Sequence, residues 1–108
     1  MIIRRKSRYI LVESSRDLDM SDRQAQSDLT EGISKAIGHI GSANTAPKVM
    51  AQTTQRSFIL RVSRGTEGDA TMALAFVKEL GGKETGLYTI RTSGSIKKLK
   101  DLTTSLYS

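Results

Sequence analysis

Arg8-Tyr9-Ile10-Leu11-Val12-Glu13, running into Ser14-Ser15-Arg16-Asp17, decides how the rest of the chain is read. A short run of aromatic, β-branched and aliphatic residues bounded by a polar turn describes a strand. Beyond it, Met20-Ser21-Asp22-Arg23-Gln24 has the spacing of a capping box, with Ser21 as cap and Gln24 reaching back from the third helical position. Ala25, Leu29, Ile33, Ala36, Ile37 and Ile40 then recur at helical intervals, and Gly41 is placed to end the run. The chain therefore begins strand, then helix.

The same pattern continues outward. Residues 42–47 are small and polar and read as a loop. Residues 48–53 and 57–62 read as two strands joined near Thr54-Gln55-Arg56. Residues 66–69 supply caps for a second helix carrying Ala70, Ala73, Leu74 and Val77, with Met72, Phe76 and Leu80 widening its apolar face until Gly81-Gly82 stops it. Residues 87–92 alternate as a final strand, and Ser95 caps a closing helix striped by Ile96, Leu99, Thr103 and Leu106. The order β-α-β-β-α-β plus one helix is the α+β, ferredoxin-like plan: a sandwich with a four-stranded antiparallel sheet and an additional C-terminal helix.

Period-two alternation sorts the strands. Ile10, Val12, Phe58, Leu60, Val62, Tyr88 and Ile90 are predicted to face the helices, leaving Tyr9, Leu11, Ile59, Arg61, Thr89 and Arg91 opposite. Leu11 and Ile59 beside two arginines do not describe a solvated surface. Either the closing helix folds over them, or they are a face for a partner protein.

A chain of 108 residues is expected to form a single domain, 1–108, with Arg4, Arg5 and Lys6 expected in a flexible basic arm at residues 1–6. No apolar run approaches the roughly 18 residues of a membrane span. Met1-Ile2-Ile3-Arg4-Arg5-Lys6 lacks the features of a secretory signal, so a cytoplasmic protein is expected. Cysteine is absent and His39 is the lone histidine, which leaves no metal site or cofactor site to expect in the protein itself.

Seventeen Lys and Arg against 11 Asp and Glu give a net charge of +6. The positive residues fall in three blocks: Arg4, Arg5, Lys6 and Arg8; then Arg56, Arg61 and Arg64; then Arg91, Lys97, Lys98 and Lys100. Blocks that converge on folding suit a polyanion, because each neutralised phosphate releases a condensed counterion. No basic helix has the aromatic-rich apolar face of a membrane-surface helix, so nucleic acid is the better match. Arg91-Thr92-Ser93-Gly94-Ser95-Ile96-Lys97-Lys98-Leu99-Lys100 sharpens this reading. A helix start already carries partial positive charge, and two lysines in its first turn oppose the usual preference for acids. Such a turn suits an anion, phosphate above all. The bland alternative is lysines leaning into water.

Three stretches in series resemble the small RNA-binding protein subunit of archaeal and eukaryotic ribonuclease P, the archaeal protein component 2 family. They are Arg8-Tyr9-Ile10-Leu11-Val12-Glu13; Thr53-Thr54-Gln55-Arg56 with Leu60-Arg61-Val62-Ser63-Arg64; and Ser93-Gly94-Ser95-Ile96-Lys97-Lys98-Leu99-Lys100. The resemblance spans nearly the whole chain, and the compact length looks archaeal. It implies an RRM-like sheet and a noncatalytic subunit that folds and stabilises the catalytic RNA for 5′ maturation of precursor tRNA, with Mg2+ serving the RNA-catalysed reaction. It also implies ribonuclease P RNA and a TIM-barrel-like ribonuclease P protein subunit as partners, in a dimer of heterodimers, with precursor tRNA contacted indirectly. Two features depart from the family pattern. The sequence reads Tyr107-Ser108 where many relatives carry more basic residues, and Gly65 to Gly68 stand where others place a charged helix start.

The RNA-binding candidates are Arg4, Arg5, Lys6, Arg8, Arg56, Arg61, Arg64, Arg91, Ser93, Gly94, Ser95, Lys97, Lys98 and Lys100. Arginine forks grip phosphate in a bidentate way, against the alternative of ordinary ion pairing with acids. For the basic arm the alternative is a solvated tail. Tyr9 and Tyr88 invite comparison with base-stacking aromatics, but their phase places Tyr88 in the core, so recognition by shape and phosphate is expected. His39 stands near a helix end without the companions of a catalytic base, and Asp17, Asp19 and Asp22 are placed as helix-start acids more than Mg2+ ligands. No catalytic residue is assigned. Competing classes are another ribosome-associated RNA-binding module, a small-molecule regulatory domain, and an acylphosphatase-like enzyme built on Arg16, for which no asparagine partner is evident.

Overall fold

A computed structural model describes residues 7–107, the side chains of His39, Ile40, Ser42, Ala43 and Tyr107 excepted. The elements are β1 (Ser7–Ser14), α1 (Arg23–Thr45), β2 (Lys48–Thr54), β3 (Ser57–Ser63), α2 (Glu67–Phe76), β4 (Glu79–Leu80), β5 (Lys83–Glu84), β6 (Leu87–Ser93) and α3 (Ile96–Tyr107). The main sheet has the order β2-β3-β1-β6, antiparallel throughout, and β4 and β5 make a separate hairpin. This is the four-stranded antiparallel sheet expected from the element order, with α3 added.

On one face of the sheet, Ile10, Val12, Phe58, Leu60 and Val62 pack with Leu29 and Ile33 of α1 and Ala70, Ala73 and Leu74 of α2. Each large side chain of this kind contributes about 1.5–3 kcal/mol on full burial. On the other face, Leu11, Ile59 and Leu99 are completely buried, with Tyr9, Ile96 and Leu102 packed around them. The closing helix therefore covers Leu11 and Ile59. They are core residues of this chain, which corrects their assignment to a partner-protein face. The stripe on α3 also differs from expectation: Leu102 is drawn in, and Leu106 is 53% exposed.

The first helix begins one residue later than its capping-box pattern suggests. Asp22 Oδ1 accepts from the Gln24 N–H at 3.3 Å, Ser21 donates instead to Asp19, and the Gln24 side chain turns to Asp28. Gly38, at φ 78° and ψ 168°, interrupts α1, and the helix resumes to Thr45. The break thus falls before Gly41, and most of the expected loop is helical. The second helix stops early. Val77 is extended, yet Val77 and Leu80 remain buried, so the apolar spacing that reads as further helix belongs to an extended segment and β4. Gly81 and Gly82, at φ 60° and 77°, make the β4–β5 turn. Met72 and Phe76 are exposed.

A register shift in β6 changes which side chains face inward. Leu11 opposes Arg91 but Val12 opposes Thr89, leaving Ile90 as the extra residue of a bulge. One inserted residue reverses the facing of everything beyond it. Leu87 and Thr89 therefore share the helix face with Val12, while Tyr88 is 57% exposed and Ile90 is also exposed. Both were expected in the core.

Candidate nucleic-acid interface

Antiparallel pairing brings three of the sequence's basic stretches to one end of the sheet. Ser7 pairs with Ser63, and Tyr9 pairs with both Arg61 and Ser93. The start of β1, the end of β3 and the end of β6 are therefore neighbours. Lys48, at the start of β2, opposes Arg61 and adds a cation that was not singled out from sequence. No sequence signal gave it: a regular continuation of the Thr54–Ser57 pairing would set Lys48 against Ser63, and two register shifts in β2 bring it opposite Arg61. Arg64 follows β3 directly, at the turn where the Thr66 N–H donates to the Ser63 carbonyl at 3.1 Å. Arg91 lies two pairs further along β6, opposite Leu11, and is exposed.

The turn into α3 is ordered by its own hydroxyls. Ser93 Oγ accepts from the Ser95 N–H at 3.1 Å, and Ser95 Oγ accepts from the Lys98 N–H at 3.3 Å, the cap expected of Ser95. The N–H groups of Ile96 and Lys97 precede any intrahelical acceptor. Lys97, Lys98 and Lys100 are exposed, while Leu99 between them is buried. Burial of one helix face thus forces the cationic face outward. Arg8 enters the same end, with its guanidinium against Gly94.

Among the described residues the ion pairs are Lys35 with Glu31 and Arg56 with Asp17. Arg8, Lys48, Arg61, Arg64, Arg91, Lys97, Lys98 and Lys100 take part in neither. Arg56 is different. It sits in the β2–β3 turn at the opposite end of the sheet, where its carbonyl accepts from the Ser14 N–H at 2.7 Å and its Nε donates to Asp17 at 2.9 Å. The structure does not bring it to the other cations. Arg4, Arg5 and Lys6 lie outside the described residues, as does the His39 side chain.

Other candidate groups are engaged in holding the fold. Arg16 donates to Thr85 Oγ1 at 2.8 Å, the Leu80 carbonyl at 2.5 Å and the Asp17 carbonyl at 2.9 Å, fastening the β4–β5 hairpin to the end of β1. A guanidinium so occupied is not the free anion-binding group an acylphosphatase needs. Asp17 pairs with Arg56, Asp19 accepts from Ser21, and Asp22 accepts from Gln24. The Ser21 hydroxyl, then its backbone N–H, hold the Asp19 carboxyl below its usual range. Tyr9 packs on the Leu11–Ile59–Leu99 cluster. The Tyr88 ring folds back on Gly86, where a β-carbon would stand 2.9 Å from the phenolic oxygen. On the helix side, an open cleft of about 740 Å³ is lined by Asp28, Glu31, Lys35, Phe76, Val77 and Glu79 among others, a mixed set without convergent catalytic groups.

Comparison with known proteins bears on the family and the fold. The model of the Rpp14/Pop5 family matches residues 8–103. Ribonuclease P protein component 2 of Thermococcus kodakarensis is 27% identical over 99 residues, covering 91% of this chain and 82% of that protein. The protein of the same name from Methanocorpusculum labreanum is 26% identical over 98 residues, covering 91% and 66%. A chain from the cryo-EM structure of yeast ribonuclease MRP has the same fold, with a TM-score of 0.61 at 12% identity over 98% of this chain and 95% of that one.

Proposed function

The chain belongs to the Rpp14/Pop5 family, and we propose that it is a noncatalytic protein subunit of ribonuclease P that binds and stabilises the catalytic RNA for 5′ maturation of precursor tRNA. The observation that carries this reading is the gathering of Arg8, Lys48, Arg61, Arg64, Lys97 and Lys98 at one end of the sheet without carboxylate partners among the described residues. Cations already committed to acids would gain little from phosphate. Uncommitted ones release counterions from the RNA, and the affinity becomes steeply salt-dependent.

In this reading the phosphodiester chemistry belongs to the RNA with its Mg2+, and the protein lowers the electrostatic cost of folding that RNA. Precursor tRNA is met through the RNA, in the cytoplasm. A TIM-barrel-like ribonuclease P protein subunit is the proposed protein partner, in a dimer of heterodimers. Because α3 closes the Leu11–Ile59 face, such a partner would cover a different apolar surface, and the exposed Met72 and Phe76 of α2 support that placement.

The test is reconstitution. Adding the chain to ribonuclease P RNA with its protein partner should improve precursor-tRNA cleavage at low Mg2+. Unimproved cleavage overturns the proposal, and retained RNA affinity in that case would point to another RNA-binding module.

A further inference from the structure

Gly94 stands between Ser93 and Ser95 where β6 turns into α3, and its backbone lies outside the left-handed region that favours glycine. The turn alone does not explain the residue. A β-carbon at this position would stand 3.2 Å from Nη1 of Arg8 and, chain neighbours apart, meet no other atom within 4 Å. That separation is tighter than nine in ten β-carbon contacts, so the guanidinium would have to give by a few tenths of an ångström.

Arg8 has little freedom to do so. It pairs with Val62 in the middle of the sheet's end, it is half-buried, and its Nε is enclosed with no acceptor among the described residues. A half-buried guanidinium without a carboxylate partner carries a poorly compensated charge, and an anion at its Nη groups would offset that charge through charge-assisted hydrogen bonds, while Nε itself stays enclosed. Nη1 is the part beside Gly94, in the Ser93–Ser95 turn that leads into α3.

We propose that Gly94 is a positioning residue for Arg8: by having no side chain it lets the Arg8 guanidinium reach the Ser93–Ser95 turn, so that strand β1 and the start of α3 together seat one phosphate of the RNA backbone. The inference rests on the ribonuclease P reading and adds a specific pair to it. The contribution of Gly94 to RNA binding runs through Arg8 alone.

The experiment measures binding of the full chain to ribonuclease P RNA over a salt series for wild type, Arg8→Ala, Arg8→Lys, Gly94→Ala, Gly94→Val and the double variant Arg8→Ala/Gly94→Val, with thermal unfolding recorded for each. Arg8→Ala should weaken binding about tenfold, the size of one charge-assisted contact, and lower the log–log salt slope by roughly 0.7–0.9. Gly94→Val should match it, Gly94→Ala should fall between, and Gly94→Val should add nothing in the Arg8→Ala background. Arg8→Lys should keep the slope but lose affinity, since an ammonium cannot fork. If Gly94→Val fails to fold, the Gly94→Ala comparison with and without Arg8 decides. A Gly94 effect that persists at full size without Arg8, or an Arg8→Ala protein that binds as wild type, overturns the inference while leaving the ribonuclease P reading standing. A wild-type chain without salt-dependent affinity for the RNA overturns both.

Discussion

Arg56 Nε donates to Asp17 Oδ1 at 2.9 Å, tying the β2–β3 turn to the segment that follows β1. Both side chains are exposed, 59% and 64%, so the pair contributes about 0–1 kcal/mol to stability. Its importance is positional, because it commits to a carboxylate an arginine that stands alongside Arg61 and Arg64 in sequence.

Arg56 and Arg61 should therefore separate in an RNA-binding titration. Arg61→Ala is expected to lower the salt slope by roughly 0.7–0.9, and Arg56→Ala to leave it within error. Filter binding across a salt series measures both. Equal losses would show that the ion pair opens for RNA.

Leu99 and Leu106 lie on the same helix with opposite fates, the first fully buried against Leu11 and Ile59 and the second exposed. Leu99→Ala should cost about 2–5 kcal/mol in urea unfolding, and Leu106→Ala within about 0.5 kcal/mol. A small cost at Leu99 would mean that α3 does not close this face in solution.

Gly38 holds a backbone conformation open to few residues but glycine, while a β-carbon there would touch nothing within 4 Å. Gly38→Ala should then cost about 1–3 kcal/mol through backbone strain alone. Replacing Gly38 with D-alanine by chemical synthesis should relieve most of that loss. No cost for L-alanine would show that α1 runs straight through.

Asp19 titrates below its ordinary value of 3.8 because the Ser21 hydroxyl, and after it the Ser21 N–H, donate to the ionised carboxylate. A depressed folded value stabilises the protein above the unfolded value, and the contribution fades as pH falls through the folded one. Ser21→Ala should raise the Asp19 midpoint toward 3.8 in a carboxyl NMR titration. An unmoved midpoint would refute the hydrogen bond as the cause.

Much of this protein could be read from neighbouring residues. The strand at Arg8 to Glu13, the alternation through Phe58, Leu60 and Val62, the Ser95 cap and the order of elements depend on interactions within a few residues, which spacing records directly. The clustering of arginines and lysines into separate blocks is legible in the same way, and by itself it points toward a polyanion.

Other features depend on residues distant in the chain. The bulge at Ile90 exists only in register with β1, and it turned Tyr88 out of the core. Leu80 has the spacing of a helix but is buried from a two-residue strand. The covering of Leu11 and Ile59 by Leu99 joins both ends of the chain, as does the approach of Arg8 to Gly94. Local sequence determined which segments are strands, helices and basic blocks, because those preferences are settled by short-range sterics and periodic burial. The tertiary structure alone decided which cations share a surface and which, like Arg56, are taken by an acid, because Coulomb interactions depend on separation in space and not on position along the chain.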